Sequence, residues 1–347
     1  YSVAFYNKGI ALSGLGYIYE AIENYNRCIY LDKNFIDCYF NKGLNSILLK
    51  NFDDGFNLYE FRKKRPKWQK RMFTNKELED KSQIKGSTIY LYSEQGLGDT
   101  IHFARYAKAF VDYGAKVILE VQRPLLGLIS EYPGLNIIAK DDYIPEADFN
   151  LPLMSCPKIL ETEISNIPPI TKLNICKSDN EYWEAKIGKT GIRIGIAWQG
   201  SKGHEDDNKV KKLQRSFPIE SLVNNLNLPD VRLISLQKEN NFLATNLQNS
   251  IETLGDDFDK TGYAFKDSVA VMQNLDLVIT CDTSIAHLAG SLNIPTWIAL
   301  KYIPDWRWLL GRDDSPWYPS IKLFRQPQWG DWDSVFKEMK KELIKQK

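Results

Sequence analysis

The chain predicts an α/β protein: two parallel-sheet domains facing a cleft, preceded by an all-α repeat segment. Three observations carry this. A helical pattern over residues 1–65 recurs at a spacing of 34 residues. Two later blocks each alternate short apolar runs with helical stretches, joined by glycine-bearing turns. A length of 347 residues exceeds one ordinary core and suits two or three domains.

In the first block, Asn7-Lys8-Gly9 corresponds to Asn41-Lys42-Gly43, Ala21 to Gly55 and Tyr25 to Tyr59, each pair 34 positions apart. Small residues that let helices approach, with aromatics filling between them, form the tetratricopeptide pattern of helix-turn-helix units. Two units are too few to be stable alone, so they are expected to pack on the domain that follows or on further repeats upstream. A docking surface for a peptide or partner protein and a purely structural extension are both open readings. The chain starts at Tyr1 rather than Met, so it is expected to begin inside a longer polypeptide.

Residues 66–86 read as a linker, and the basic run "FRKKRPKWQKR" (Phe61 to Arg71) that enters it reads as either a solvated stretch or a basic contact. A Rossmann-like domain is expected over 87–175, where "STIYLYSEQGLGDTIHFARYAKAFVDYGAKVILEV" gives strand, glycine loop, helix and strand, and "NIIAK" and "FNLPL" give further strands. A proline-bearing connection with an amphipathic helix leads to a second such domain over 190–330. Its strands are "IRIGIAWQG", "VRLISLQ", "LDLVITC" and "PTWIALK", and a helix closes the chain over 331–347. Ligands of such sheets bind at the carboxyl ends of the strands, so the loops there are the candidate site.

The bulk composition excludes several classes. Hydrophobic residues at 43% and charged residues at 26% describe a soluble globular protein, and a net charge of +1 gives no global field for nucleic acid or an anionic membrane. No apolar run of about 18 residues exists and no signal pattern opens the chain, so no integral membrane segment is expected. The five cysteines lack any C-x-x-C pair, which fits reduced, buried thiols in a cytoplasmic protein rather than a zinc site or a disulfide framework.

In "SEQGLGDTIHFARY", Gly96 and Gly98 lie between strand and helix, where they let a ligand approach the backbone; Ile101 replaces the third glycine of a dinucleotide fingerprint, so no NAD site is read. Asp99 either caps that helix or serves as a general base at the cleft floor. His102 reads as a helix-face residue. "ITCDTSIAHLAG" opens another helix, whose first amides with the Thr283 and Ser284 hydroxyls suit a pyrophosphate. Asp282 either caps it or accepts from a ribose or sugar hydroxyl. His287 shares the face of Thr283 and Ser284, with a partnered buried histidine as the alternative. Trp198, Gln199 and Gly200 are placed to line the cleft, with Arg215 or Lys202 available to neutralise phosphate, and Gln237 and Lys238 end the next strand. The aromatic loop with Asp305, Trp306 and Arg307 either lines the cleft and stacks a base or sugar, or packs in the core. The adjacent aspartates at 206–207, 256–257 and 313–314 lie in loops without metal-site context, and no metal is read.

Together "EQGLGDTIHFARY", "IGIAWQGS", "RSFP", "SLQK", "LDLVITCDTSIAHLAGSLNIPTWIAL" and "PDWRWLLGRDDSPWYP" resemble the bacterial tetratricopeptide-repeat glycosyltransferases, relatives of glycosyltransferase family 9, the lipopolysaccharide heptosyltransferases. The resemblance covers about Ser87 to Phe336. It implies a GT-B fold with the acceptor on the 87–175 side and a nucleotide sugar on the 190–330 side. It implies Asp99 as base, Asp282, Thr283 and His287 at the donor diphosphate, Arg215 on phosphate, inversion at the anomeric carbon, and no metal or other cofactor. Ser284 stands where the family has glycine, and Gln237 near where it often has an acid, so the sugar stays open. By analogy with repeat-bearing enzymes the acceptor is a protein, docked by the repeats. The other classes left open are a sugar-nucleotide epimerase or hydrolase on the same scaffold and a non-catalytic, repeat-based binding module.

Overall fold

The computed structural model describes residues 1–68, 70–200, 215–238, 247, 249–260 and 262–346. Two helical hairpins open the chain: α1 (Ser2–Leu15) with α2 (Ile18–Leu31), and α3 (Ile36–Leu48) with α4 (Phe52–Tyr59). Their 34-residue correspondence has a packing cause. A Cβ on Gly9 would lie 2.5 Å from the Tyr25 ring, and one on Gly43, its equivalent, 3.0 Å from the backbone nitrogen of Tyr59, the equivalent of Tyr25. Each hairpin therefore closes at the same place, and only glycine allows it. Between the hairpins, Cys28 of α2 and Cys38 of α3 form a disulfide, with Cα atoms 6.8 Å apart. This corrects the expectation of reduced thiols: the two cysteines share no motif and meet only because α2 packs on α3. Cys156, Cys176 and Cys281 are free, and of these Cys176 is exposed.

The first sheet is parallel throughout, built from β1 (Lys76–Glu77), β2 (Thr88–Tyr92), β3 (Lys116–Val121), β4 (Leu135–Ala139) and β5 (Phe149–Pro152) in the order β1-β5-β2-β3-β4. The segment 66–86 read as linker thus supplies an edge strand, too short at two residues to show any periodicity. After β2 come α5 (Leu97–Phe103) and α6 (Arg105–Asp112), and α7 (Cys156–Ile159) follows β5. The connecting helix α8 (Lys177–Ile187) sits on the second lobe, where the Trp183 indole N–H donates to Asp267 at 3.1 Å.

The second sheet is also parallel and has five strands, β6 (Ile192–Ala197), β7 (Val231–Ser235), β8 (Leu277–Thr280), β9 (Thr296–Leu300) and β10 (Ile321–Arg325), in the order β10-β9-β8-β6-β7. β10 lies beyond the strands expected from the sequence. Its helices are α9 (Ile219–Leu226), α10 (Lys266–Met272), α11 (Ser284–Ser291) and α12 (Trp332–Gln346). Every residue of β8 and β9 is buried, as befits strands covered on both faces. The strand order reverses between β6 and β8, which opens a crevice at their carboxyl ends.

The helical hairpins are bound into this architecture. Phe52 stacks on Trp317 at 5.7 Å, and Phe56 and Tyr59 pack on Trp306 at 6.0 and 5.8 Å, all contacts to the second lobe. Toward the first lobe, Arg62 donates to both carboxylate oxygens of Glu94 at 2.8 Å and to the Ser155 hydroxyl at 2.8 Å. This guanidinium is only 4% exposed, and such a buried charge is tolerable because its partners surround it. No described helix is long and apolar enough to cross a membrane.

The glycine contacts make an opposed pair of substitutions informative. A Cβ on Gly55 would fall 2.4 Å from Ile47 Cγ1, so Gly55→Ala is expected to cost about 1–3 kcal/mol through overpacking. Gly14, exposed on α1 with nothing within 4 Å of its Cβ position, is expected to gain about 0.5–1 kcal/mol as alanine. Melting temperatures of the two variants should move in opposite directions.

Candidate active site

The cleft floor is made where one helix from each lobe begins. The first turn of α5 packs against the first turn of α11: a Cβ on Gly98 would lie 3.1 Å from Ser284 Cα and 3.1 Å from the His287 ring. The opposite lobe crowds the side-chain space of Gly98, a packing reason for glycine that stands beside the ligand approach expected from the sequence. Gly96, the residue before α5, faces only the Asp99 carboxylate, 3.3 Å from its Cβ position.

Asp99 takes the capping role and also pairs across the cleft. Its Oδ2 accepts the Gly96 N–H at 2.9 Å, capping α5. Its Oδ1 accepts from Arg307 Nη2, so the same carboxylate reaches across to the second lobe. It remains partly open, with 24% of its side chain exposed.

The β6 and β8 strand ends meet on the other side of this contact. Beyond β6, the Cβ position of Gly200 is 3.4 Å from Arg215 Nη2 and 3.5 Å from Thr283 Cγ2, which places Gly200, Arg215 and Thr283 together at the crevice. Thr283 precedes α11 in extended backbone and its side chain makes no capping bond; its hydroxyl pairs with that of Thr280 at 3.2 Å. No side chain thus caps the start of α11, where the Ala286 N–H donates to the Thr283 carbonyl at 3.1 Å. Gln237 ties the ends of β7 and β6 together by donating from Nε2 to the Gln199 carbonyl at 3.0 Å. Lys238 is exposed beside it. Trp198 is not a cleft residue: it is 6% exposed and packs with Phe217 and Ile219 in the core under α9. Strand alternation sends its side chain to the far face. Lys202, like Asp206 and Asp207, lies outside the described residues.

An acid cluster with one arginine lines the second-lobe rim. Arg307 donates to Asp305 at 2.8 Å and to Asp99, and its guanidinium lies 4.3 Å from the Trp306 ring centroid. The two carboxylates raise its already high pKa against the cost of burial. Burial, and then the neighbouring Asp305, push the Asp282 carboxyl up to about 6. Trp306 itself belongs to the core, wedged against Phe56, Tyr59 and Phe103, which settles the aromatic loop's packing alternative for that residue.

Behind Gly98 the lobes are sealed by residues that sequence reasoning missed or underrated. His102 Nδ1 and His287 Nδ1 both contact the Tyr318 hydroxyl, at 2.9 and 3.1 Å. One hydroxyl proton serves one ring, so the other imidazole must donate its own. His287 also lies flat on Trp308 at 5.6 Å, the arrangement of a partnered buried histidine. Arg105, 1% exposed, donates to the His102 and Trp317 carbonyls at 2.9 and 2.7 Å. Contacts such as His102 to Tyr318 span 216 residues, and no local pattern announces them. The one available signal was that the chain's three histidines include two at strand-to-helix junctions. Among the described residues, no three His, Cys, Asp or Glu side chains converge into a group able to hold a metal.

No protein-family model matches the chain. Among solved structures, a glycosyl transferase family 9 protein from Veillonella parvula superposes on 76% of this chain and 96% of its own, with a TM-score of 0.54 and 11% identity. The two share a fold. It is two parallel five-stranded sheets with helices, of the GT-B type. The Escherichia coli ADP-heptose lps heptosyltransferase II is also similar, over 75% of this chain and 99% of its own, with a TM-score of 0.48 and 12% identity. A curated relative, protein FlbA of Caulobacter vibrioides, is 23% identical over 277 residues, or 72% of this chain; the chain spans 45% of that relative's length.

The seam sets a pH dependence. Burial, then the Arg105 charge, hold His102 well below the ordinary histidine value of about 6.5, and burial, then Arg307, do the same for His287. Their contribution to stability is full above about pH 6.5 and is lost as pH falls, at about 1.4 kcal/mol per ring per pH unit, because the unfolded chain binds protons the folded one refuses. Asp282, raised when folded, works the other way below about pH 6 and offsets one ring. The urea midpoint should fall on going from about pH 7.5 to about pH 5.5, and less steeply in His102→Asn. A midpoint that holds or rises would contradict the buried, neutral assignment.

Proposed function

We propose that the cleft transfers a sugar from a nucleotide-diphosphate donor to a hydroxyl acceptor, with inversion and without a metal. One observation carries this reading: Asp99 from one lobe and the uncapped start of α11 from the other are brought to a single point, at the crevice where the second sheet reverses its order. The fold shared with a family 9 glycosyl transferase supports the same reading by analogy.

Residues 190–330 hold the donor. The α11 amides, the Thr283 and Ser284 hydroxyls and Arg215 face its diphosphate, with Gly200 leaving room beside them. Gln199, Gln237 and Lys238 lie toward the nucleoside, and Asp282 toward a ribose or sugar hydroxyl. Residues 87–175 present the acceptor. Its hydroxyl oxygen attacks the anomeric carbon, its proton passes to Asp99 Oδ1 or Oδ2, and the carbon–oxygen bond to the diphosphate breaks with its electron pair leaving on the phosphate oxygen. Attack opposite the leaving group inverts the centre. The cation and helix end meet the growing negative charge that a metal meets in other enzymes. His287 shapes the α11 start through its packing rather than touching phosphate. The 34-residue hairpins are tetratricopeptide units, which fits a protein or peptide acceptor docked on them.

Thermal-shift screening against ADP-, GDP-, UDP- and CMP-sugars tests the donor, and nucleoside diphosphate release tests the chemistry. At least one donor should stabilise the protein, and Asp99→Asn should keep that stabilisation while turnover falls by about 10²–10⁴-fold. No stabilisation by any nucleotide, or wild-type turnover in Asp99→Asn, would sink the reading.

A further inference from the structure

Asp99 does not hold its own orientation. Gly96 fixes one carboxylate oxygen from within α5, and the other is held by a residue from the opposite lobe. That residue, Arg307, is itself pinned. Its backbone N–H donates to Asp305 Oδ1 at 3.1 Å, its carbonyl accepts the Trp317 indole N–H at 2.8 Å, and its Nη1 donates to Asp305 at 2.8 Å. The guanidinium plane is packed between Trp306 and Phe103, at 4.3 and 5.8 Å. Its Nε is buried with no acceptor, so the two terminal nitrogens alone set its direction. The histidines, Tyr318 and Arg105 join the lobes separately, behind this arrangement.

We infer that Arg307 is a positioning residue for Asp99, holding the carboxylate in line with the donor lobe so that the base is in place only when the two lobes are docked. The inference rests on Asp99 being the base. A guanidinium fork is required: one nitrogen must stay on Asp305 while the other, fixed in the same plane, reaches Asp99, and a lysine ammonium offers no such rigid pair. Arg307 thereby makes the geometry of a first-lobe group depend on a second-lobe loop.

Turnover is measured as nucleoside diphosphate release from ADP-, GDP-, UDP- and CMP-sugars, with water and a bacterial protein extract offered as acceptors. Arg307→Lys keeps the charge and loses the fork; its kcat should fall about 100-fold, the size of effect an ångström of misplacement produces, while the donor KM stays within about twofold. Arg307→Ala should be equally slow and should recover when about 50 mM guanidinium ion is added, a rescue that Asp99→Asn cannot show. If Arg307→Ala does not fold, the lysine variant alone decides through its split between kcat and KM. An unchanged kcat, or a loss confined to donor KM, would overturn the positioning role and leave the transferase reading standing. A wild-type protein that releases no nucleoside diphosphate from any donor would instead remove the transferase reading, and this inference with it.

Discussion

The structure depends on a single close approach between the lobes: the start of α5 against the start of α11, at a glycine whose side-chain space the opposite lobe crowds. With Gly98 there, Ser284 Cα comes within 3.1 Å of where a Cβ would be. Two helix N-termini, each with a partial positive charge, are thereby pushed together at the cleft floor. Such a meeting is unfavourable unless negative charge is nearby. The chain provides it: Asp99 caps α5, Asp282 precedes α11, and Asp305 stands opposite, with Arg307 balancing the excess of acids. The acid cluster is therefore a structural requirement of the lobe contact before it is anything else.

The helical hairpins follow from this contact rather than standing apart from it. Tyr59 and Phe56 lean on Trp306, whose neighbour Arg307 holds Asp99, while Arg62 occupies the carboxyl ends of β2 and β5 through Glu94 and Ser155. In the first sheet the strand order also reverses between β2 and β5, and Arg62 sits at the carboxyl ends there, bonded to Glu94 and Ser155. Only the second sheet keeps its crevice lined by glycine, hydroxyls and an arginine. The asymmetry distinguishes two lobes of similar architecture.

The strands β2 to β9 were legible as mainly apolar runs because both faces of each parallel sheet are covered, with only isolated polar residues such as Glu120, Arg193 and Arg232 interrupting them. β1 escaped through brevity, and β10 because "IKLFR" follows a loop dense in tryptophan and proline that masks its start. The loops at strand ends were legible as candidate site positions, since fold class alone places them at one end of each sheet. The direction of individual side chains was not. Trp198 and Trp306 sit in site loops yet turn into the core, and Gly98 serves the opposite lobe. Tyr318, Trp317 and Arg105 gave no signal, because their partners lie in the other lobe and pairing across lobes leaves no local periodicity. The Cys28–Cys38 disulfide was hidden for the same reason: it reports on how α2 meets α3, and not on any spacing within either helix.

A crystal structure of the protein with a bound nucleoside diphosphate tests the central claim most directly. The diphosphate oxygens should lie within about 3 Å of the α11 first-turn amides, beside Arg215 and facing Asp99. A nucleotide seated at the β2–β5 end of the first sheet, or one that leaves the α11 start untouched, would contradict it.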